Sequence, residues 1–84
     1  MSVEDEIQEA AESDDLVIGT DETLKSSDLE KIVVASNTPR RIREEILEFA
    51  DDEDVEVEDS DMDNRQLGSA CMKPFSAAVV GIKG

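Results

Sequence analysis

Hydrophobic residues in this chain occur in compact runs that are separated by longer polar stretches. Four runs have the length and the branched, apolar composition of strands: residues 16–19, 31–36, 55–57 and 75–82. In the third run, valines alternate with Glu56 and Glu58, which is typical of a strand at the edge of a sheet. The pattern therefore predicts four strands, of which the third lies at an edge.

Apolar residues at helical spacing predict a helix before the first strand and another after it. Residues 3–12 carry the first amphipathic pattern, with apolar positions at Val3, Ile7, Ala10 and Ala11. A second helix is expected to start with Thr20 as its N-cap and to end near Asp28. Acidic residues at 21 and 22 would complement the positive end of its dipole.

Two further helices are expected before the third and the fourth strand. The third has Thr38 as N-cap and Pro39 at its first helical position, where proline is favoured. Its apolar face comprises Ile42, Ile46, Phe49 and Ala50. Residues 63–70 predict the fourth helix.

This alternation of strands and helices predicts an α/β fold. We expect a three-layer α/β/α sandwich around a four-stranded, mixed but mainly parallel sheet, because parallel strands need helical crossovers. Residues 1–84 are expected to form a single domain, without a repeat or a linker. Ligands of such sheets bind at loops between strand ends and helix starts, which places the candidate loops at residues 19–22, 36–39 and 71–75.

The charge of the chain is strongly acidic and unevenly distributed. Asp and Glu number 23 against 8 Lys and Arg, for a formal net charge of -15. Acidic proteins usually repel nucleic acid, but residues 64–84 contain no acid and residues 25–43 carry five bases against two acids. The compact apolar runs argue against disorder. An acidic interaction tail is a further alternative. Salt adaptation fits better, because dense like charge is tolerated at molar salt, where the Debye length is about 3 Å.

Several classes of site are disfavoured by the residue types present. The chain has no His and a single cysteine, Cys71, which excludes intrachain disulfides and His-based or Cys-x-x-Cys zinc sites. Without a general base, Cys71 is interpreted as a small, partly buried thiol at a helix end. The Asp-x-Asp-x-Asp run at 59–63 opens like a calcium loop, but Asn64 replaces the required glycine and Ala70 the bidentate acid. We therefore expect no metal, no cofactor and no enzymatic activity.

The chain also lacks the patterns that direct proteins to membranes. Its acidic first residues do not resemble a signal or transit peptide, and no apolar run approaches the length of a transmembrane helix. A cytoplasmic protein is expected. The short, acidic edge strand favours a monomer.

The first segment with binding chemistry follows the first strand. Gly19 ends that strand directly before a helix start, where backbone N–H groups can receive phosphate. Glu22 and Lys25 are three residues apart and share one helix face. The simpler alternative is a capped helix with a surface ion pair between these two side chains.

The second segment precedes the last strand. Lys73, Pro74 and Phe75 place a cation, a rigid turn and an aromatic ring together. An exposed Phe beside a Lys suits stacking on an unpaired base with a phosphate nearby. The alternative is that Phe75 begins the last strand and is part of the core.

Four motifs in register resemble the kink-turn RNA-binding superfamily of ribosomal proteins, in particular its archaeal and eukaryotic L-thirty-e branch, with L-seven-Ae more distant. They are Gly19-Thr-Asp-Glu-Thr-Leu-Lys25, Ile32-Val-Val-Ala-Ser-Asn-Thr-Pro39, Glu44-Glu-Ile-Leu-Glu-Phe-Ala50 and Leu67-Gly-Ser-Ala-Cys-Met-Lys-Pro-Phe75. The resemblance implies a large-subunit ribosomal protein that grips a kinked internal loop of RNA containing sheared G·A pairs. Ribosomal RNA and neighbouring ribosomal proteins would be its partners.

The resemblance also implies roles for individual residues. Backbone at Gly19 and Thr20 would approach the RNA, Glu22 would accept hydrogen bonds from a guanine edge, and Lys25 would neutralise a phosphate. The remaining expected RNA-binding residues are Asp21, Asn37, Cys71, Met72, Lys73, Pro74 and Phe75.

Two of these residues depart from the pattern of the superfamily. Asp21 stands where L-seven-Ae proteins have Asn, and a carboxylate cannot donate a hydrogen bond. Met72 stands where Gly is usual, so its side chain is expected to disfavour a positive φ. The alternative function is an acidic protein-interaction module that keeps the fold and binds RNA weakly.

Overall fold

The computed structural model describes residues 3–84, which contain four helices alternating with four strands. In chain order these elements are α1 (Val3–Glu12), β1 (Leu16–Ile18), α2 (Thr20–Lys25), β2 (Leu29–Val34), α3 (Arg40–Glu53), β3 (Glu56–Asp59), α4 (Asn64–Ala70) and β4 (Val79–Lys83). All eight predicted elements are present in the predicted order.

The sheet has the strand order β1-β4-β2-β3. Strand β4 is antiparallel to both of its neighbours, β1 and β2, whereas β2 and β3 are parallel. The α/β class and the mixed sheet are confirmed, but the expectation of a mainly parallel sheet is wrong. After α4 the chain folds back along that helix, since the Ala77 N–H donates to the Asn64 carbonyl at 2.9 Å. It therefore enters β4 from the end of the sheet at which β3 finishes.

Each face of the sheet is covered by two helices. Alternation along β2 sends Val33 to one face and Ile32 and Val34 to the other. The first core packs α1 and α4 on the sheet around Ile7, Val33, Leu67, Cys71 and Val80. The second packs α2 and α3 around Ile32, Val34, Ile46, Ala50 and Val79. Burial of each large aliphatic side chain contributes about 1.5–3 kcal/mol to stability. Because the two cores lie on opposite faces of the sheet, the predicted three-layer sandwich is confirmed.

Two predicted helix caps are wrong. Helix α2 already includes Thr20, and its N-cap is Gly19, with no side-chain hydrogen bond. The Thr38 hydroxyl donates instead to the Ala78 carbonyl at 3.0 Å, so α3 begins at Arg40 after Pro39. At α2 the residue at the cap position is a glycine, which has no side chain to form a cap. At α3 the Thr38 hydroxyl is used in the long-range contact with Ala78 and does not cap the helix.

The limits of the strands differ from the prediction by a few residues. Strand β2 starts at Leu29, two residues earlier than expected, and β4 starts at Val79, four residues after Phe75. Strand β3 lies at an edge, as its alternation predicted. No helix among residues 3–84 has the length and apolar character needed to cross a bilayer.

Candidate functional site

One end of the sheet brings together the three loops in which binding was predicted. The Gly19 N–H donates to the Val79 carbonyl at 2.9 Å, and the Ala35 N–H donates to the Ala78 carbonyl at 2.8 Å. On the other side of β2, the Ser60 N–H donates to the Val34 carbonyl at 2.9 Å. We call this the loop end of the sheet. Adjacent strands are about 4.8 Å apart, so its loops lie side by side.

The turn at Gly19 presents bare backbone. Gly19 has a φ of 105°, which L side chains rarely adopt, and a Cβ built there would meet nothing within 4 Å. The buried hydroxyl of Thr23 donates to the Gly19 carbonyl at 2.7 Å. The turn is thus held from inside the protein while its outer side faces open space.

Three charged side chains of α2 project from this turn into solvent. Asp21, Glu22 and Lys25 are exposed, and Thr20 is half-buried. Glu22 and Lys25 form no ion pair with each other or with any other residue of 3–84. The alternative reading of this segment as a helix with a surface ion pair is therefore wrong.

A Schellman motif ends α4 and starts the second predicted segment. The Met72 N–H donates to the Ser69 carbonyl at 2.9 Å and the Lys73 N–H to the Gly68 carbonyl at 3.1 Å. This motif requires a left-handed residue after the cap, and Met72 has a φ of 62°. The expectation that Met72 would disfavour a positive φ is overruled by these two hydrogen bonds, at a cost of about 1–2 kcal/mol.

Gly68 allows the segment to lie directly on α4. A Cβ at this position would be 1.9 Å from the Phe75 carbonyl oxygen, so any side chain would force the loop away from the helix. Sequence reasoning missed this role. The available signal was a glycine inside a helical pattern, where it disfavours the helix and usually has a packing reason.

Phe75 is exposed on this loop. Its relative exposure is 55%, and that of Met72 is 69%. Lys73 and Pro74 are also exposed. The alternative that Phe75 begins the last strand as core is wrong, because the chain folds back on α4 before β4 starts.

Cys71 differs from its neighbours because its side chain lies in the core. It is 1% exposed and packs with Ile7 and Leu67. Burial raises the pKa of the thiol to about 11. The prediction of a small thiol at a helix end is confirmed, but the thiol is fully and not partly buried. The RNA-binding role of Cys71 stays a prediction, and it falls to the backbone because the side chain lies in the core.

Asn37 joins the starts of α3 and α4. Its Nδ2 donates to Asn64 Oδ1 at 3.0 Å, and its Oδ1 accepts from the Asn64 N–H at 2.9 Å. The exposed Asn37 amide therefore holds the segment before α3 against the start of α4.

The basic residues of the predicted positive segment are not equally available. The Lys31 ammonium lies 2.7 Å from a Glu6 carboxylate oxygen and 2.8 Å from one of Glu58, and its side chain is 14% exposed. Hydrogen bonds to Glu58 and Glu6 raise the pKa of Lys31 above its usual range. Arg43 is held by both carboxylate oxygens of Asp59, with Nη2 to Oδ2 at 2.6 Å, which raises its pKa. Lys31 and Arg43 thus serve the fold.

Comparison with known proteins gives a consistent result. The sequence model of the ribosomal protein L7Ae/L30e/S12e/Gadd45 family matches residues 1–84. The large ribosomal subunit protein eL30 of Methanobrevibacter smithii is 30% identical, with 95% of this chain and 84% of the relative covered. Its counterpart in Methanopyrus kandleri is 34% identical, with 95% and 76% covered.

Solved structures show the same fold. A Giardia lamblia 15.5kD RNA binding protein superposes with a TM-score of 0.86 at 20% identity, covering 98% of this chain and 71% of that chain. A protein with unknown function from Bacillus halodurans superposes with a TM-score of 0.85 at 18% identity, covering 94% and 81%. At these identities the likeness concerns the fold.

Proposed function

Because the chain belongs to the ribosomal protein L7Ae/L30e/S12e/Gadd45 family, we propose that it is a non-enzymatic protein of the large ribosomal subunit that recognises a kink-turn-like bend in RNA. Large-subunit ribosomal RNA would be its ligand and neighbouring ribosomal proteins its further partners. The names of the relatives from Methanobrevibacter smithii and Methanopyrus kandleri support this assignment and a place on the cytoplasmic ribosome.

The adjacency of the two predicted segments carries the proposal. The hydrogen bond from Gly19 to Val79 joins the start of α2 to the start of β4, and exposed Phe75 lies four residues before Val79. Phe75 and the neighbouring Met72 both expose large apolar side chains on one loop, and grouped exposed apolar side chains are typical of an interaction site. An exposed ring beside the Lys73 cation suits a partner that offers both a stacking face and a negative charge.

The chemistry of the first segment complements that of the second. The open backbone at Gly19 permits close approach of an RNA strand. The exposed Lys25 ammonium, which forms no ion pair within residues 3–84, can neutralise a phosphate. The Glu22 carboxylate accepts hydrogen bonds only, so it selects a donor edge such as the N1 and N2 groups of guanine. Asp21 has the same preference, and it repels any phosphate placed next to it.

Phosphate contacts alone would bind poorly in the concentrated salt to which we expect this protein to be adapted. Each such contact loses about 0.7–0.9 decade of affinity per tenfold rise in salt. Recognition under those conditions therefore depends on stacking by Phe75 and on the base-edge contact of Glu22.

The test is a calorimetric titration in molar KCl with a kink-turn RNA and with the same RNA whose sheared G·A pairs are replaced by Watson–Crick pairs. We expect tighter binding to the intact kink. Phe75→Ala should weaken it by about tenfold or more, since stacking contributes about 1–3 kcal/mol per base. Glu22→Ala should have a similar effect through loss of a charged hydrogen bond, which contributes about 1.5–3 kcal/mol.

Leu47→Ala and Glu48→Ala are matched controls. Both residues are exposed in the middle of α3, away from the loop end, and their replacement should leave the affinity unchanged. Equal binding to the two RNAs would refute kink recognition and favour the protein-interaction module. Unchanged affinity in both Phe75→Ala and Glu22→Ala would place the site elsewhere.

A further inference from the structure

Two helices that start at the loop end carry arginines in their first turns, where helix stability favours acids. Helix α3 starts with Arg40 and Arg41, and Arg65 is the second residue of α4; neither helix has an acid in its first turn. The first turns of α1 and α2 are acidic. The start of a helix carries partial positive charge, so cations there are unfavourable. In a chain with 23 acids and 8 bases, this placement requires a reason other than stability.

Within residues 3–84, Arg41 and Arg65 are also left without an ion-pair partner. Arg40 pairs with Glu44 at 3.0 Å, and Arg43 pairs with Asp59. Arg41 and Arg65 are exposed and form no ion pair with any carboxylate of residues 3–84. The acid nearest to Arg65 in sequence, Asp63, is engaged as the cap of α4, where it accepts from the Gln66 N–H at 2.9 Å.

The structure places the starts of α3 and α4, and with them these two arginines, at the loop end of the sheet, beside the predicted RNA-binding loops. Hydrogen bonds of 3.0 and 2.9 Å join Asn37, which precedes α3, to Asn64, the first residue of α4. Arg65 directly follows Asn64, and Arg41 is the second residue of α3. The neighbouring Thr38 is bonded to Ala78, which precedes the first residue of β4. The arginines thus lie beside the loop that carries Phe75.

We propose that Arg41 and Arg65 form a phosphate-binding patch for a helical arm of RNA next to the kink. The inference rests on the proposed function because it takes RNA as the ligand. A guanidinium group presents a planar fork of donors that matches two phosphate oxygens. Contacts of this kind fix the position of the RNA without reading its sequence. The patch therefore binds an arm of any sequence, while Phe75 and Glu22 recognise the kink.

The test compares the salt dependence of binding to two RNAs that contain the same kink. One has arms of only a few base pairs, and the other has both arms extended by a full helical turn. On the long-arm RNA, Arg41→Gln and Arg65→Gln should each reduce the slope of log affinity against log salt by about 0.7–0.9, and the double variant by about 1.5. On the short-arm RNA the slopes of these variants should equal that of the wild type.

Lys83→Gln is the matched control, because it removes one charge from an exposed base at the opposite end of β4 that forms no ion pair within residues 3–84. It should leave both slopes unchanged. Equal slopes for the wild type and the double variant on the long-arm RNA would overturn the patch, as would an equal reduction by Lys83→Gln. An equal reduction of the slope on the short-arm and the long-arm RNA would mean that the arginines contact the kink itself. That result would also overturn the proposed patch.

The two proposals fail in different ways. Kink recognition fails if the wild type does not distinguish the intact kink from its G·A-replaced form. The arginine patch is tested separately on a straight RNA duplex of the same length. There the slope of log affinity against log salt should be smaller for the double variant than for the wild type. Equal slopes for the two proteins on the duplex, together with a wild-type preference for the intact kink, would refute the patch alone.

Discussion

At the residue scale, two positions of the loop end have left-handed backbone conformations, and only one of them is a glycine. Gly19 has a φ of 105° and Met72 a φ of 62°. Gly19 adopts its conformation without a side-chain penalty. Met72 is held in place by the Schellman hydrogen bonds that end α4, and its side chain remains 69% exposed. The backbone strain at Met72 is therefore not offset by burial of its side chain.

Met72→Gly should stabilise the protein by about 1 kcal/mol, because glycine occupies the left-handed region without the steric cost of a Cβ. The free energy of unfolding from urea titrations measures this change. Met72→Ala is the control, since it removes the thioether but keeps the Cβ and should bring no comparable gain. A destabilised Met72→Gly variant would show that the Met72 side chain contributes more than its exposure indicates.

At the element scale, Lys31 of the central strand β2 forms ion pairs with helix α1 and with the edge strand β3. Its ammonium group contacts Glu6 of α1 and Glu58 of β3, and Glu56 lies 3.8 Å away. These carboxylates would repel one another without the shared cation. The raised pKa of Lys31 means that its contribution is complete below its unfolded value near 10.5. It is lost only as the pH rises through the still higher folded value.

Lys31→Met should lower the free energy of unfolding by about 1–2 kcal/mol at low salt. This is less than the ~3–5 kcal/mol for breaking a fully buried pair, because the side chains of Glu6 and Glu58 are 35% and 40% exposed. Added salt should reduce the loss by screening the remaining carboxylates. Lys83→Met, at an exposed position without an ion pair within residues 3–84, is the control. If its loss equals that of Lys31→Met, the contacts of Lys31 do not stabilise the fold.

At the scale of the whole molecule, charge is distributed between the two ends of the sheet. The helix-to-strand turns opposite the loop end place Asp14, Asp28 and Asp54 in left-handed conformations, with φ values of 60°, 61° and 56°. Helix α3 runs from arginines at the loop end to acids at its other end, opposite to the preference of its dipole. The molecule therefore has a net charge of -15, with its arginines concentrated at the loop end, where they lie among acids of the adjoining loops.

Such a charge distribution should make stability depend on salt. Raising KCl from about 0.2 to about 2 M should increase the free energy of unfolding, because screening reduces repulsion within the folded chain. Urea titrations at several KCl concentrations measure the trend. Sucrose solutions of equal osmolality serve as the control, since sucrose favours compact states without screening charge. A flat or falling trend in KCl would contradict the predicted salt adaptation.

Much of the fold could be predicted because its signals are local. The periodicity of Ile42, Ile46 and Phe49 predicted which side of α3 faces the sheet, and these residues pack there. The alternation around Val57 predicted an edge strand. The caps were less predictable: Thr38 had the right residue type for a local cap, but its hydroxyl bonds to Ala78, forty residues away in sequence.

The sequence by itself determined the eight elements, the two apolar faces of the sheet and the two segments with binding chemistry, because periodicity and residue type act over a few neighbouring residues. Only the tertiary structure decided the direction of β4, the left-handed conformation of Met72, the exposure of Phe75 and the pairing of Lys31. These features depend on contacts between distant parts of the chain, above all the close approach of the Phe75 loop to Gly68. A pattern read along the chain contains no information on such distances.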